Sequence, residues 1–161
     1  MGIAAVEIGA STLHSWAALP NNLPKEDDWL ERSSKASTDK RRANMKGKEF
    51  LIVDEVSMED KATVHCLSEI IGNSRGQEEK GRPQEPFGSM HVIKAGDFHQ
   101  FPPVGNPMGA LYVDRPNKDN KRALLGREIF LQFDQVVILD KQNRIIDKMW
   151  ADILRHLRVG V

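Results

Sequence analysis

The sequence predicts an α/β domain of three layers around a mostly parallel sheet. Strand-like apolar runs alternate with amphipathic helical stretches along 161 residues, a length that fits one domain with a real core. Two of the runs, Leu51-Ile52-Val53 and Val92-Ile93, end abruptly in the polar blocks Asp54-Glu55 and Gly96-Asp97-Phe98-His99-Gln100. In an open parallel sheet ligands bind beyond the carboxyl ends of the strands, so paired acids there suit magnesium and a nucleoside triphosphate.

Taken in order, Gly2 to Gly9 reads as a short helical turn and Thr12 to Leu19 as a second helical piece stopped by Pro20. Asn21 to Lys48 carries eight Lys or Arg from Lys25 onward, with only Trp29 and Leu30 as apolar anchors, which predicts a mobile insertion holding one helical segment. Glu49 to Val53 is predicted as a buried strand. Ser57, with Asp60 three residues later, marks a helix start; Ala62, Cys66, Leu67, Ile70 and Ile71 share one face, and Gly72 is the expected left-handed stop. Asn73 to Gly88 reads as a loop, followed by a strand from His91 to Ala95. The prolines of Phe101-Pro102-Pro103-Val104 end that ladder because proline has no amide donor. A helix is predicted over Lys121 to Phe130 and a third buried strand over Gln135 to Leu139. Asp147 then caps a helix with Met149, Trp150, Ile153, Leu154 and Leu157 on one face and Gly160 at its end. Lys94 interrupts an apolar strand, which an edge position or a snorkelling stem would accommodate.

A composition of 40% hydrophobic and 29% charged residues excludes disorder throughout, and 23 basic against 23 acidic residues leave no global field to attract a polyanion. Binding of that kind must come from local patches. Cys66 is the sole cysteine, which excludes an internal disulfide and fits a reducing compartment; on an apolar helix face it is read as a packed thiol. No His, Cys and acid cluster has zinc spacing. No apolar stretch approaches the roughly 20 residues that span a bilayer, and Met1 to Ala5 lacks the start of a secretory signal. The expectation is a soluble intracellular chain without a membrane partner.

Phosphoryl transfer to water needs charge neutralised at the phosphates and a group that orients the attacking water. An acid at a strand terminus can hold hydrated Mg²⁺ while its neighbour reaches the water, which is the chemistry open to Asp54 and Glu55. The alternative is that the pair caps the helix that follows or forms a surface ion pair. Gln100 offers a carboxamide that donates and accepts without adding charge, suited to sensing a terminal phosphate. Alternatively, Asp97 and Gln100 tie down a proline-rich turn. The presence of both blocks at successive strand ends favours the nucleotide reading.

Leu51-Ile52-Val53-Asp54-Glu55-Val56-Ser57-Met58, followed by Gly96-Asp97-Phe98-His99-Gln100-Phe101-Pro102-Pro103-Val104, resembles motifs II and III of the Pif-type DNA helicases of superfamily 1, a pattern the Helitron transposon helicases share. Gly2-Ile3-Ala4-Ala5 with Thr12-Leu13-His14-Ser15-Trp16-Ala17 is similar to the motif Ia region, and Asn143-Arg144 with Leu154 to Gly160 to the block around motif IV. The resemblance implies a RecA-like P-loop NTPase fold and an ATP-driven motor moving 5′ to 3′ on single-stranded DNA, with ATP between two RecA-like domains. It implies Asp54 for Mg²⁺ through water, Glu55 for the attacking water, Gln100 with Asp97 for the nucleotide, and Arg144 for the transferring phosphate. Arg144 has a second reading, pairing with Asp147. Strand contacts are implied near Thr12, His14 and Ser15, whose polar groups suit phosphate oxygens, and near Phe98, His99 and Phe101, whose rings can stack on bases. The alternative has Trp16 and Phe101 as core or loop anchors, and for an aromatic taken singly core packing is favoured over base stacking.

No Gly-x-x-x-x-Gly-Lys-[Ser/Thr] occurs, so the backbone nest and lysine that cradle β and γ phosphates are missing from these residues. The family carries that Walker A loop upstream of motif Ia. The expectation is therefore a partial first motor domain over 1–161, truncated at its N-terminus, with the following motor region starting at about 140–161 and a second motor domain beyond it. Alone, such a chain should neither hydrolyse ATP nor unwind DNA. The resemblance further implies nuclear DNA repair, recombination or telomere maintenance for the full-length protein. The alternative is a noncatalytic DNA- or partner-binding remnant of a transposon-derived helicase.

Overall fold

The computed structural model describes residues 9–20, 22–23, 28–76, 85–141, 143 and 145–160. In chain order its elements are α1 (Leu13–Trp16), α2 (Lys35–Met45), β1 (Phe50–Val53), α3 (Lys61–Ser74), β2 (His91–Lys94), α4 (Lys121–Phe130) and α5 (Lys148–Val159). The predicted turn from Gly2 lies, up to residue 8, outside the described residues.

β1 and β2 pair in parallel, with Phe50 opposite His91 and Val53 opposite Lys94. Parallel neighbours need a long crossover, which α3 supplies. Its Val64, Cys66, Leu67, Ile70 and Ile71 form the centre of the core, with Leu51 and Val92 packed against them from the sheet. The two-residue period of a strand turns Phe50, Ile52 and Ile93 to the opposite face, where they are exposed. The strand read as buried is thus buried on one face only. Burial also pushes the Cys66 thiol up to about 12, helped by the nearby Glu69 charge, as suits a packed and unreactive group.

Asp60, not Ser57, caps α3, accepting from Thr63 N at 2.7 Å. Ser57 sits in a 3₁₀ turn over Val56–Met58 with its hydroxyl buried. Gly72 does not stop the helix: it lies inside α3, where Gly88 packs onto it, and a Cβ on Gly88 would stand 3.0 Å from the Gly72 Cα. The left-handed residue is Gly76, with φ 74°. α4 crosses α3 at similarly close range, since a Cβ on Gly126 would stand 1.7 Å from the Lys61 carbonyl oxygen.

The insertion expected to be mobile is docked through α2. Arg41 is buried and donates to the carbonyls of Ala17 (3.0 Å) and Ala18 (2.9 Å) and to the Ser33 hydroxyl (2.9 Å), with its guanidinium 5.4 Å from the Trp29 ring. Asn44 Nδ2 donates to the Trp16 carbonyl at 2.7 Å. These bonds satisfy carbonyls left open at the end of α1, and Met45 buries the apolar side of the same ridge. A polar composition hid the anchor because the anchor is itself an arginine.

Residues 135–139 are not a strand. Val136 to Leu139 are 81–91% exposed and pair with no described segment. An apolar run supplies the side chains of a buried strand, but a strand also needs a neighbouring ladder, and among the described residues the sheet has two strands. α5 begins and ends as predicted, Asp147 accepting from Trp150 N at 3.0 Å and Gly160 taking φ 76°, while Met149, Trp150, Ile153 and Leu157 remain exposed. Among the described residues no helix is long and apolar enough to cross a membrane.

Candidate functional site

The ladder continues past the strand ends. Ala95 N donates to the Val53 carbonyl at 2.8 Å and Val56 N to the Ala95 carbonyl at 2.9 Å, so residues 54–56 lie alongside 95–97. Gly96 permits this approach: with φ 145°, a Cβ there would stand 2.7 Å from Val56 N. Asp54 Oδ1 accepts from Glu55 N at 2.9 Å, and Glu55 takes the left-handed conformation at φ 60° and ψ 43°. A non-glycine residue held there stores of order 1–3 kcal/mol, a strain that turns the chain sharply out of the strand. Both carboxylates are exposed, and neither has an ion-pair partner among the described residues.

The second block forms a turn. Gln100 N donates to the Asp97 carbonyl and His99 N to Asp97 Oδ1, both at 2.9 Å, while the Gln100 side chain stays exposed. Arg158 on α5 grips the Asp97 carboxylate with both Nη atoms, one of them 2.9 Å from Oδ1. Partial burial works against ionisation of Asp97, but the His99 amide and then the Arg158 guanidinium outweigh it and hold the carboxyl below the usual range. Asp97 is therefore occupied in shaping the turn and tying it to α5.

Below the turn Lys94 faces the core. Its ammonium pairs with Glu59, both side chains only 4% exposed, and lies 5.9 Å from the Phe133 ring. Burial pushes the Glu59 carboxyl up and Lys94 pulls it back part of the way. The pair joins the last residue of β2 to the segment that follows Glu55, bracing the two blocks from the core side.

The DNA candidates fall into two groups. Phe101 is 80% exposed and His99 is exposed, whereas Phe98 packs edge-on against Tyr112 (5.6 Å between centroids) and Phe130 (6.3 Å). Thr12 is engaged as the α1 cap, accepting from Ser15 N at 3.2 Å; His14 and Ser15 are exposed, with Lys40 Nζ 3.5 Å from the Ser15 hydroxyl. α1 is held by α2, which sets these groups beside Lys40. Arg144 lies outside the described residues. The braces Glu59, Arg158 and Arg41 were missed in the sequence, where only Lys94 stood out.

Among the described residues no three His, Cys, Asp or Glu side chains gather into a metal cage. Asp54 and Glu55 provide two hard oxygen donors at an open edge, which fits a Mg²⁺ that keeps waters and takes phosphate oxygens rather than one held by protein alone.

The family model described as PIF1-like helicase matches residues 1–114. The chain belongs to that family. It is 37% identical over 106 residues to the ATP-dependent DNA helicase PIF1 of Candida albicans, a match covering 64% of this chain and 10% of that protein. To the ATP-dependent DNA helicase RRM3 of Saccharomyces cerevisiae it is 29% identical over 160 residues, covering 99% of this chain and 20% of that protein. The chain thus spans a tenth to a fifth of the length of these relatives. Among solved structures it is similar to the Pif1 helicase from Bacteroides in complex with ADP-AlF3 and ssDNA, with a TM-score of 0.64 and 26% identity over 98% of this chain and 34% of that one. The Candida albicans Pif1 helicase gives a TM-score of 0.62 and 25% identity over 98% of this chain and 32% of that one. The fold is accordingly RecA-like α/β, as the PIF1-like motifs imply.

Proposed function

We propose that this chain supplies one wall of the nucleotide site, and part of the DNA track, of an ATP-dependent helicase that moves 5′ to 3′ on single-stranded DNA. The observation that carries the reading is the contact of Gly96 with Val56 N, which sets the Asp54-Glu55 block and the Asp97–Gln100 turn side by side at one sheet edge. Residues 1–161 then form part of the first motor domain, with the following motor region starting at about 140. Asp54 holds Mg²⁺ through water, and Glu55, turned out by its left-handed backbone, orients the attacking water. When bound, the metal neutralises charge on the phosphates. Gln100 reads the γ-phosphate from a turn fixed by Asp97, which serves the nucleotide through that turn, and Arg144 provides the cation for the transferring phosphate. Phe101 and His99 stack on bases, Phe98 backs them from the aromatic cluster, and Thr12, His14 and Ser15 meet the strand's phosphates.

These residues contain no Gly-rich phosphate cradle, so the 161-residue chain by itself turns over no ATP. Nuclear work in repair, recombination, telomere maintenance or Helitron-like transposition belongs to the same proposal for the full-length protein. The test is a chimera in which this chain replaces the matched segment of the yeast RRM3 helicase. DNA-stimulated ATP turnover should survive the exchange and disappear with Glu55→Gln; equal turnover with and without that substitution refutes the assignment. A noncatalytic remnant would bind DNA yet give an inert chimera.

A further inference from the structure

At the other end of the strands, away from the acid block, an open groove of about 610 Å³ runs between the end of α2, the lead into β1 and the end of α3. Among the described residues Arg42, Lys46, Lys48 and Arg75 line it against a single acid, Glu49. In a chain with no net charge this is a concentrated positive surface. Arg75 is fixed in place, its Nε donating to the Gly88 carbonyl at 2.9 Å and an Nη to the Lys48 carbonyl. Arg42, Lys46 and Lys48 are exposed and have no ion-pair partner among the described residues.

Cations in a last helical turn are ordinary complements to the helix dipole, which accounts for Arg42 and Lys46 taken alone. It accounts likewise for Arg75 at the end of α3, but not for Lys48, nor for the convergence of two helix ends on one groove. The helical period separates this surface from the α1 patch. Arg41 and Met45 form the buried ridge of α2; Lys40 and Asn44 flank it on the side that touches Ser15 and Trp16, while Arg42 and Lys46 flank it on the other. The apolar residues Ala43 and Met45 offer no exposed aromatic or large apolar anchor of the kind that dominates protein interfaces, and Met45 is only 2% exposed. Solvated cations spread along an open groove match a phosphate backbone, whose binding is electrostatic and independent of sequence.

We propose that this groove is a second nucleic-acid contact, gripping the phosphate backbone of a DNA strand at a site separate from the 97–101 turn and from α1. The proposal rests on the charge and shape of the groove, and on the preceding functional reading only for the choice of DNA as polyanion.

The test compares the chain with an Arg42→Gln/Lys46→Gln/Lys48→Gln variant, using a labelled single-stranded oligonucleotide, a labelled forked duplex and polyglutamate as probes across a salt series. Loss of three phosphate contacts should flatten the log–log salt dependence on the single strand by about 2, so that a fourfold rise in salt weakens the parent chain roughly 16-fold more than the variant. Phe101→Ala should lower affinity at unchanged slope. All three substituted residues are exposed, so an unchanged thermal melt shows that the variant is folded. An unchanged slope in the folded variant, the absence of DNA binding by the parent chain, or loss of polyglutamate binding with DNA binding intact overturns the proposal. A flattened slope in the triple variant with no effect of Phe101→Ala or His99→Ala would sustain the groove and count against the stacking track.

Discussion

Replacing Lys94 with methionine keeps the side-chain length and removes the ammonium that faces Glu59. Both partners are 4% exposed, and one Glu59 oxygen is buried with no hydrogen-bond donor, so the substitution strands a carboxylate in the core. Breaking a buried pair from one side costs about 3–5 kcal/mol. In a chain of this size that corresponds to a fall of roughly 6–20 °C in Tm, at about 2–4 °C per kcal/mol. The deficit should depend on pH. Burial already raises the Glu59 carboxyl in the folded state, and removing Lys94 removes the charge that draws it down. A carboxyl whose folded pKa lies above its unfolded value favours the fold below the ordinary glutamate range and loses that contribution as pH rises through the folded pKa. The variant should therefore be weakest at neutral pH and approach the parent in acid, while adding Glu59→Leu should restore most of the loss. Urea unfolding at neutral and acidic pH measures this. A neutral-pH deficit below about 1 kcal/mol, as for an exposed pair, or one indifferent to pH, would refute the buried brace.

Three further outcomes follow from the same geometry. Gly126→Ala should cost about 1–3 kcal/mol in a thermal melt even against a helix-propensity gain of about 1 kcal/mol, because its Cβ meets the Lys61 backbone. Gly96→Ala should part the two blocks and speed amide exchange at Val56 and Ala95, leaving the exchange of the α4 amides unchanged. Because the Asp97 carboxyl is held below the usual range, its grip on Arg158 should be complete above the ordinary carboxylate range and fail as pH falls through that lowered value; Trp150 fluorescence should report the release, and Arg158→Gln should abolish the transition.

The parts of the fold legible in the sequence were those set by local pattern. α4 and α5 match their predicted limits because caps and apolar periodicity both lie within the segment, as Asn120 and Asp147 illustrate. Gly72 and residues 135–139 depart from the local pattern because their roles depend on distant chain: Gly72 meets Gly88, and an apolar run becomes a strand only beside another strand. The acid block and the Gly96 turn could be read because strand-end chemistry is local and carries a specific motif. The braces around them could not. Lys94 looked anomalous without Glu59, Asp97 looked like a free ligand without Arg158, and Arg41 looked like one more surface charge until the carbonyls of α1 were placed around it.

Asp54, Glu55 and the Asp97–Gln100 turn should share one metal-nucleotide edge. Titration of the ¹⁵N-labelled chain with Mn²⁺ in the presence of ATP tests this most directly, since paramagnetic broadening marks the amides nearest the ion. Amides of residues 54–56 and 96–100 should broaden together, and Asp54→Asn should abolish the effect. Broadening centred elsewhere, for instance on Asp114 and Asp119, or broadening that survives Asp54→Asn, would contradict it.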